Sequence, residues 1–207
     1  MVYVQKLNTT NVLTEQEIKG LVHMVEEEKL AGDVYQTLHA KTGLINFQNI
    51  EQSERRHQSA VQGLLQKYGI ADPTAGKGVG EFTQTEFTNL YQDLVRTGAQ
   101  SNADALKVGL KIEDLDIYDL EKEIAHTERA DIQQVYANLT RGSRNHLRSF
   151  HRALSQMGQS YTPELLSQTQ YDAIAHSAQE RGNGVGCSGK GQGRWQGKTR
   201  IMGGARN

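Results

Sequence analysis

Apolar residues recur at intervals of three and four along four stretches of the 207-residue chain, the spacing that builds one face of an α-helix. In the first stretch Ile18, Leu21, Val22, Val25, Ala31, Tyr35 and Leu38 follow TEQE, where Thr14 and Glu17 form a capping-box pair, and Gly43 supplies a stop. The second runs from about Asn46 to Tyr68, with Phe47, Ile50, Val61, Leu64 and Leu65 on one face and Gly69 after it. The third starts near Ser101, paired with Asp104, and carries Leu106, Leu110, Ile117, Leu120 and Ile124. The fourth, about Ala130 to Met157, shows Ile132, Tyr136, Leu139, Leu147, Phe150 and Leu154 before Gly158.

Both prolines of the chain, Pro73 and Pro163, fall between these stretches, so the pattern predicts an all-α chain. The connection from 69 to 100 opens ADPTAGKGVG and contains a short helix, TEFTNLYQDLV. It is longer than a helix hairpin needs and suits a crossover along a four-helix bundle. After the fourth helix, TPELL places Thr162 and Pro163 as N-cap and first residue of a short extra helix that continues through QTQYDAIAHSAQ. From Arg181 onward nine glycines interrupt the text, which predicts a helical domain over 13–180 and a disordered tail over 181–207.

Polar residues interrupt the apolar stripes at one depth. Residues seven apart on a helix differ by about 20° in direction. The series Leu21–Glu28–Tyr35, Phe47–Glu54–Val61, Ile50–His57–Leu64, Leu106–Glu113–Leu120, Tyr136–Ser143–Phe150 and Leu139–His146–Ala153 therefore aim polar side chains inward. Each intrusion lies near the middle of its helix, so in an antiparallel bundle all share one transverse layer. Carboxylates buried without compensation cost several kcal/mol each. Either they are protonated and bonded to one another or a cation sits among them. Glu54 and His57, spaced i and i+3, can converge on one ion. Carboxylates with imidazole and no thiolate suit iron or manganese, one or two ions, with zinc also compatible.

Neighbouring polar residues receive other assignments. Glu26 and Glu27 are expected to be solvated, with only Glu28 on the stripe. Asp116 lies at the stripe's edge. Glu123 and His126 repeat the Glu-x-x-His spacing but stand about 10 Å beyond Asp116 at the helix end. His23, His39, His151 and His176 have no carboxylate partner on a shared inner face and are expected to be structural or exposed. Tyr35 is expected to serve core packing.

Charge divides unevenly along the chain. The tail holds six Lys or Arg and no acid, leaving 17 basic against 24 acidic residues in the remainder. An acidic body argues against nucleic acid as a specific partner. Cys187, alone, excludes an internal disulfide and paired-thiolate metal sites. No apolar run approaches the ~18 residues of a membrane span, and MVYVQKLNTTNV lacks the apolar core of a signal peptide. A cytoplasmic location is the expectation.

The order Glu28, Glu54-x-x-His57, Glu113-x-x-Asp116, His146 resembles the ferritin-like superfamily, and most closely its rubrerythrin branch. The phrases EEEKLAGDVY, NIEQSERRH and RGSRNHLRSF resemble an uncharacterised prokaryotic family of ferritin-like domains, over roughly 13–172. The resemblance implies a di-iron carboxylate bundle that reacts with oxygen or peroxide, with Glu28, Glu54, His57, Glu113, Asp116 and His146 as metal ligands. Rubrerythrins carry a second Glu-x-x-His on the last helix; here Ser143 stands in place of that glutamate. They also carry a Cys-rich electron-delivering module, absent here, so redox turnover would draw on an external reductant. The expected partners are metal ions, small oxidants and a second copy of the chain. A non-enzymatic metal-binding or stress-related interaction module is the competing expectation.

Overall fold

A computed structural model describes residues 12–181. Among them six helices and no strands occur: α1 (Glu15–Thr42), α2 (Ile45–Tyr68), α3 (Thr85–Gly98), α4 (Asn102–Ala125), α5 (Ala130–Gln156) and α6 (Gln168–Ala175). No helix among the described residues is long and apolar enough to cross a membrane. The expectation of a disordered tail, with Cys187, falls on 182–207, outside the described residues.

Helix ends follow local chemistry. The Thr14 amide donates to Glu17 Oε2 at 2.8 Å and the Glu17 amide donates to Thr14 Oγ1 at 3.1 Å, a complete capping box. Gly43 and Gly69 end α1 and α2 in the left-handed conformation.

The four long helices pack as a ring in which α1 neighbours α2 and α4, and α5 neighbours α4 and α2. Adjacent members run antiparallel. Thr127, just after α4, donates to Glu17 at the start of α1 (2.7 Å), and Asn46 at the start of α2 donates to Ser149 near the end of α5 (2.9 Å). Consequently α2 and α4 are parallel, and the chain between them must travel the length of the ring. That crossover docks on α1. Lys29 donates to the Gly78 carbonyl at 2.7 Å and Asp33 accepts from the Gly80 amide at 2.9 Å. Gly80 is required twice over: its φ is +77°, and a Cβ there would stand 2.5 Å from the Tyr91 ring.

This docking corrects one expectation. Glu26 and Glu27 are buried, not solvated, because the crossover and α4 cover the side of α1 opposite α2. Glu26 accepts from the Thr83 and Gln84 amides (2.5 and 3.2 Å) and from Gln84 Nε2 (2.7 Å), capping the N-terminus of α3. Met24, Leu30 and Val34 are buried for the same reason, whereas Ile18, placed on the stripe, is exposed.

A second correction concerns the extra helix, which starts at Gln168 under a Ser167–Gln170 capping box rather than at Pro163. The Glu164, Leu165 and Leu166 amides all donate to Asp114 of α4, at 2.6, 3.1 and 2.8 Å. These bonds hold the segment before α6 against α4. Beyond α6, Glu180 accepts from Arg144 and Arg148 and ties the chain back to α5.

The core divides into two apolar clusters. One gathers Val34, Tyr35, Leu38, Phe47, Leu106, Leu110, Phe150 and neighbours. The other gathers Leu21, Met24, Val25, Val61, Leu65, Leu120, Ile132, Tyr136 and Leu139. On α1, α2 and α5 the polar residues predicted to point inward lie between the two, and on α4 Glu113 lies within the reach of the first cluster, between Ile112 and Ile117.

Candidate metal centre

All six sequence-predicted residues meet in that layer. Glu28, Glu54, Glu113, Asp116 and His146 are buried, and His57 is 13% exposed in its side chain. His57 Nδ1 stands 2.8 Å from Glu54 Oε2 and 3.3 Å from Glu28 Oε2. His146 Nδ1 stands 2.8 Å from the other Glu54 oxygen, Oε1, and 3.5 Å from Glu113 Oε2. The two imidazoles lie nearly parallel, centroids 5.5 Å apart. The side chains thus form two triads, Glu28–Glu54–His57 and Glu54–Glu113–His146, sharing Glu54.

By distance alone the 2.8 Å contacts are hydrogen bonds; by direction they are not. Neither His57 Nδ1 nor His146 Nδ1 has an aligned partner, and Glu28 Oε1, Glu54 Oε1 and Asp116 Oδ1 are also buried without one. Buried polar atoms are nearly always bonded, so five orphans in one layer call for a partner that the neighbouring side chains do not supply.

The surrounding contacts hold these groups. Tyr35 packs against Phe47 and Phe150 (centroids 5.6 and 5.3 Å) and donates its hydroxyl to Glu113 Oε1 at 2.6 Å. It therefore serves both packing and the polar layer. Ser143, in the place of the missing carboxylate, donates to Asp116 Oδ2, which draws the residue expected at the stripe's edge into the layer. Gly142 is a residue sequence reasoning missed. A Cβ there would stand 2.4 Å from His57 Cε1 and 2.5 Å from Nε2, so its absence makes room for the ring.

Without a cation the layer carries opposing tendencies. Burial raises Glu28, and Asp116 beside it adds to the rise against the pull of His57. Burial pushes Glu113 up to about 7 despite His146, and burial with the charge of Glu113 pushes Asp116 up to about 7. Burial would also raise Glu54, but His146 and His57 outweigh it and hold its carboxyl well below the usual range. Conversely burial would lower His146, and Glu54 with Glu113 instead raise it to about 10. The site concentrates negative charge around Glu54 and answers it with two imidazoles.

Other histidines sit elsewhere. His126 is the residue after α4 and lies 3.9 Å from Glu123, away from the layer. His39 bonds the Leu44 carbonyl at 3.0 Å and His151 the Tyr171 hydroxyl at 2.9 Å. His23 departs from expectation: its Nε2 faces Glu27 and Asp119, each at 3.6 Å. Glu27 stands one turn after His23 in α1, and Asp119 comes from α4, which no spacing within the first helix signals.

The chain matches the model of an uncharacterized protein domain family, DUF2202, over residues 17–178, which spans all four long helices and the polar layer. It belongs to this family. An uncharacterized protein of Methanocaldococcus jannaschii, MJ0754, is 51% identical over 170 residues, 82% of this chain and 92% of the relative. The crystal structure of hypothetical protein MJ0754 from Methanococcus jannaschii superposes with a TM-score of 0.80 at 50% identity. That alignment covers 82% of this DUF2202 chain and 97% of the relative's.

Proposed function

We propose that this DUF2202 chain is a metal-binding protein of ferritin-like, rubrerythrin-type architecture. In this reading it holds one or two iron or manganese ions through Glu28, Glu54, His57, Glu113, Asp116 and His146, zinc being compatible with the same donors. One observation carries the proposal: two imidazole nitrogens and three carboxylate oxygens are buried in one layer without a hydrogen-bond partner. A cation among them would give these atoms the partner that the neighbouring side chains do not. The two triads share Glu54, so its carboxylate would serve both ions if two were held.

Bound iron would supply the redox couple for oxidising Fe(II) or reducing peroxide. The chain's own part is positional. Tyr35 fixes the Glu113 carboxylate, Ser143 fixes Asp116, and the Tyr35–Phe47–Phe150 cluster keeps water from one side of the layer. The chain carries one thiol, Cys187, and no Cys-rich module of the rubrerythrin kind, so electrons for turnover would come from an external reductant. A cytoplasmic setting, where such reductants abound, fits this reading.

Stopped-flow oxidation of added Fe(II), compared between wild type and Glu113→Ala, tests the oxidoreductase part; a fast wild-type phase lost in the variant is expected. Equal rates would leave the second reading, a non-enzymatic metal-binding module. Ser143 favours that second reading, because it removes the carboxylate that would make the two metal positions equivalent.

A further inference from the structure

Glu27 is the buried group that the central layer does not use. Its side chain is 2% exposed, and neither carboxylate oxygen has a hydrogen-bond partner. It points away from the triads toward His23 and Asp119: His23 Nε2 lies 3.6 Å from Glu27 Oε2 and 3.6 Å from Asp119 Oδ2. The three side chains bring one ligand atom each within 4.8 Å of the others. His23 and Asp119 line an open surface cavity of about 470 Å³.

The spacing is not that of hydrogen bonds. A histidine donating to either carboxylate would close to about 2.7–3.2 Å. Ligand atoms each about 2.0–2.2 Å from one ion are instead separated by roughly 3 to 3.5 Å, close to what is observed. The support around the atoms fits as well. The His23 ring leans on Phe87 of α3 at 5.1 Å between centroids, and the nearest cation to Asp119, Lys122, stands 4.0 Å from the oxygen not facing His23. No lysine or arginine pairs with Glu27 among the described residues, so its charge is left to a cation or a proton.

We propose that His23, Glu27 and Asp119 form a second divalent-cation site, between the surface cavity and the central layer. One imidazole with two carboxylates selects ions of the Fe(II), Mn(II) and Zn(II) class over calcium. Its position gives it a role. Glu27 precedes Glu28 in α1, and Asp119 lies one turn after Asp116 in α4, so each helix offers one carboxylate to the rim and its neighbour to the centre. An ion captured from the cavity is thereby held next to the central ligands. The rim site rests on the central reading for that role but not for its existence.

The test is Mn(II) binding to the full-length protein, followed by loss of the free-ion paramagnetic resonance signal, with Mn(II)-soaked crystals mapped by anomalous scattering. Asp119→Asn and His23→Ala remove surface ligands and are expected to fold, checked by circular dichroism. Each should lose one Mn(II) equivalent or weaken it at least tenfold, and the map should show a peak among the three side chains. Unchanged stoichiometry and affinity in both folded variants, or no peak there, overturns the proposal. Glu54→Gln combined with His57→Ala separates the two sites. If this double variant keeps the rim ion alone, both readings stand. If it binds as many ions as wild type while Asp119→Asn loses one, the central reading fails and the rim site stands. If the rim ion leaves with the central ones, a self-standing rim site is overturned.

Discussion

Replacing Gly142 by alanine sets two effects against each other in the middle of α5. Alanine is the better helix former by about 1 kcal/mol, and propensity alone predicts a more stable protein. The added Cβ, however, would stand 2.4 Å from His57 Cε1, where carbon atoms need about 3.5 Å. The ring must retreat by about 1 Å. His57 is partly exposed and can swing, so the metal-free protein should change in stability by no more than about 1 kcal/mol. Metal ligation is less forgiving, since ligand distances are held to within about 0.2 Å. A displacement several times larger should weaken the ion at Glu28–Glu54–His57 by roughly 10- to 100-fold, the range seen when a ligand's support is removed. Thermal melts with and without chelator, beside a metal titration, read the two effects separately. A Gly142→Ala protein that melts higher and binds metal as tightly as wild type would refute the idea that this glycine makes room for a ligand.

Two further predictions concern pH and the fold. In the metal-free protein Glu113 and Asp116, raised to about 7, hold their protons more firmly folded than unfolded. Their stabilisation is complete below about pH 4 and is lost as pH rises through 7. That of His146 is complete below about pH 6.5 and lost as pH rises through about 10. The melting temperature of metal-free protein should therefore fall from pH 5 to pH 9, while metal affinity, which needs deprotonated ligands, rises over the same range; a melting temperature that climbs in chelator would contradict this. Asp114→Asn leaves one acceptor oxygen for three amides and the Tyr161 hydroxyl. Denaturant melts should show a loss of about 2–4 kcal/mol with metal stoichiometry unchanged.

The helices and the inward polar residues were legible because both follow from position along a single helix. Heptad spacing aimed Glu28, Glu54, His57, Glu113, Ser143 and His146 inward, and their mid-helix positions put them at one depth. What was not legible depends on contacts between elements far apart in sequence. Glu26 and Glu27 read as solvated because nothing in EEE announces that the crossover and α4 will cover them. His23 stands one turn before Glu27 in α1, a spacing passed over because Glu27 read as solvated, and Asp119 arrives from α4. Thr162 and Pro163 make a sound helix start, yet the helix begins at Gln168, and the segment between is bound to Asp114 of α4, a partner distant in sequence. Ser143 read as a missing ligand, while its hydroxyl instead holds Asp116. Gly142 left no signal, because a gap for a neighbour's ring has no periodicity.

The most direct test of a cation in the central layer is elemental analysis of protein purified from unsupplemented cells, with an anomalous-scattering map at the edge of the metal found. Iron or manganese at one or two equivalents is predicted, with density between Glu54 and the two imidazoles and a melting temperature that drops on chelation. Metal-free protein whose melting temperature ignores both chelator and added iron or manganese would mean that the layer is held by shared protons instead.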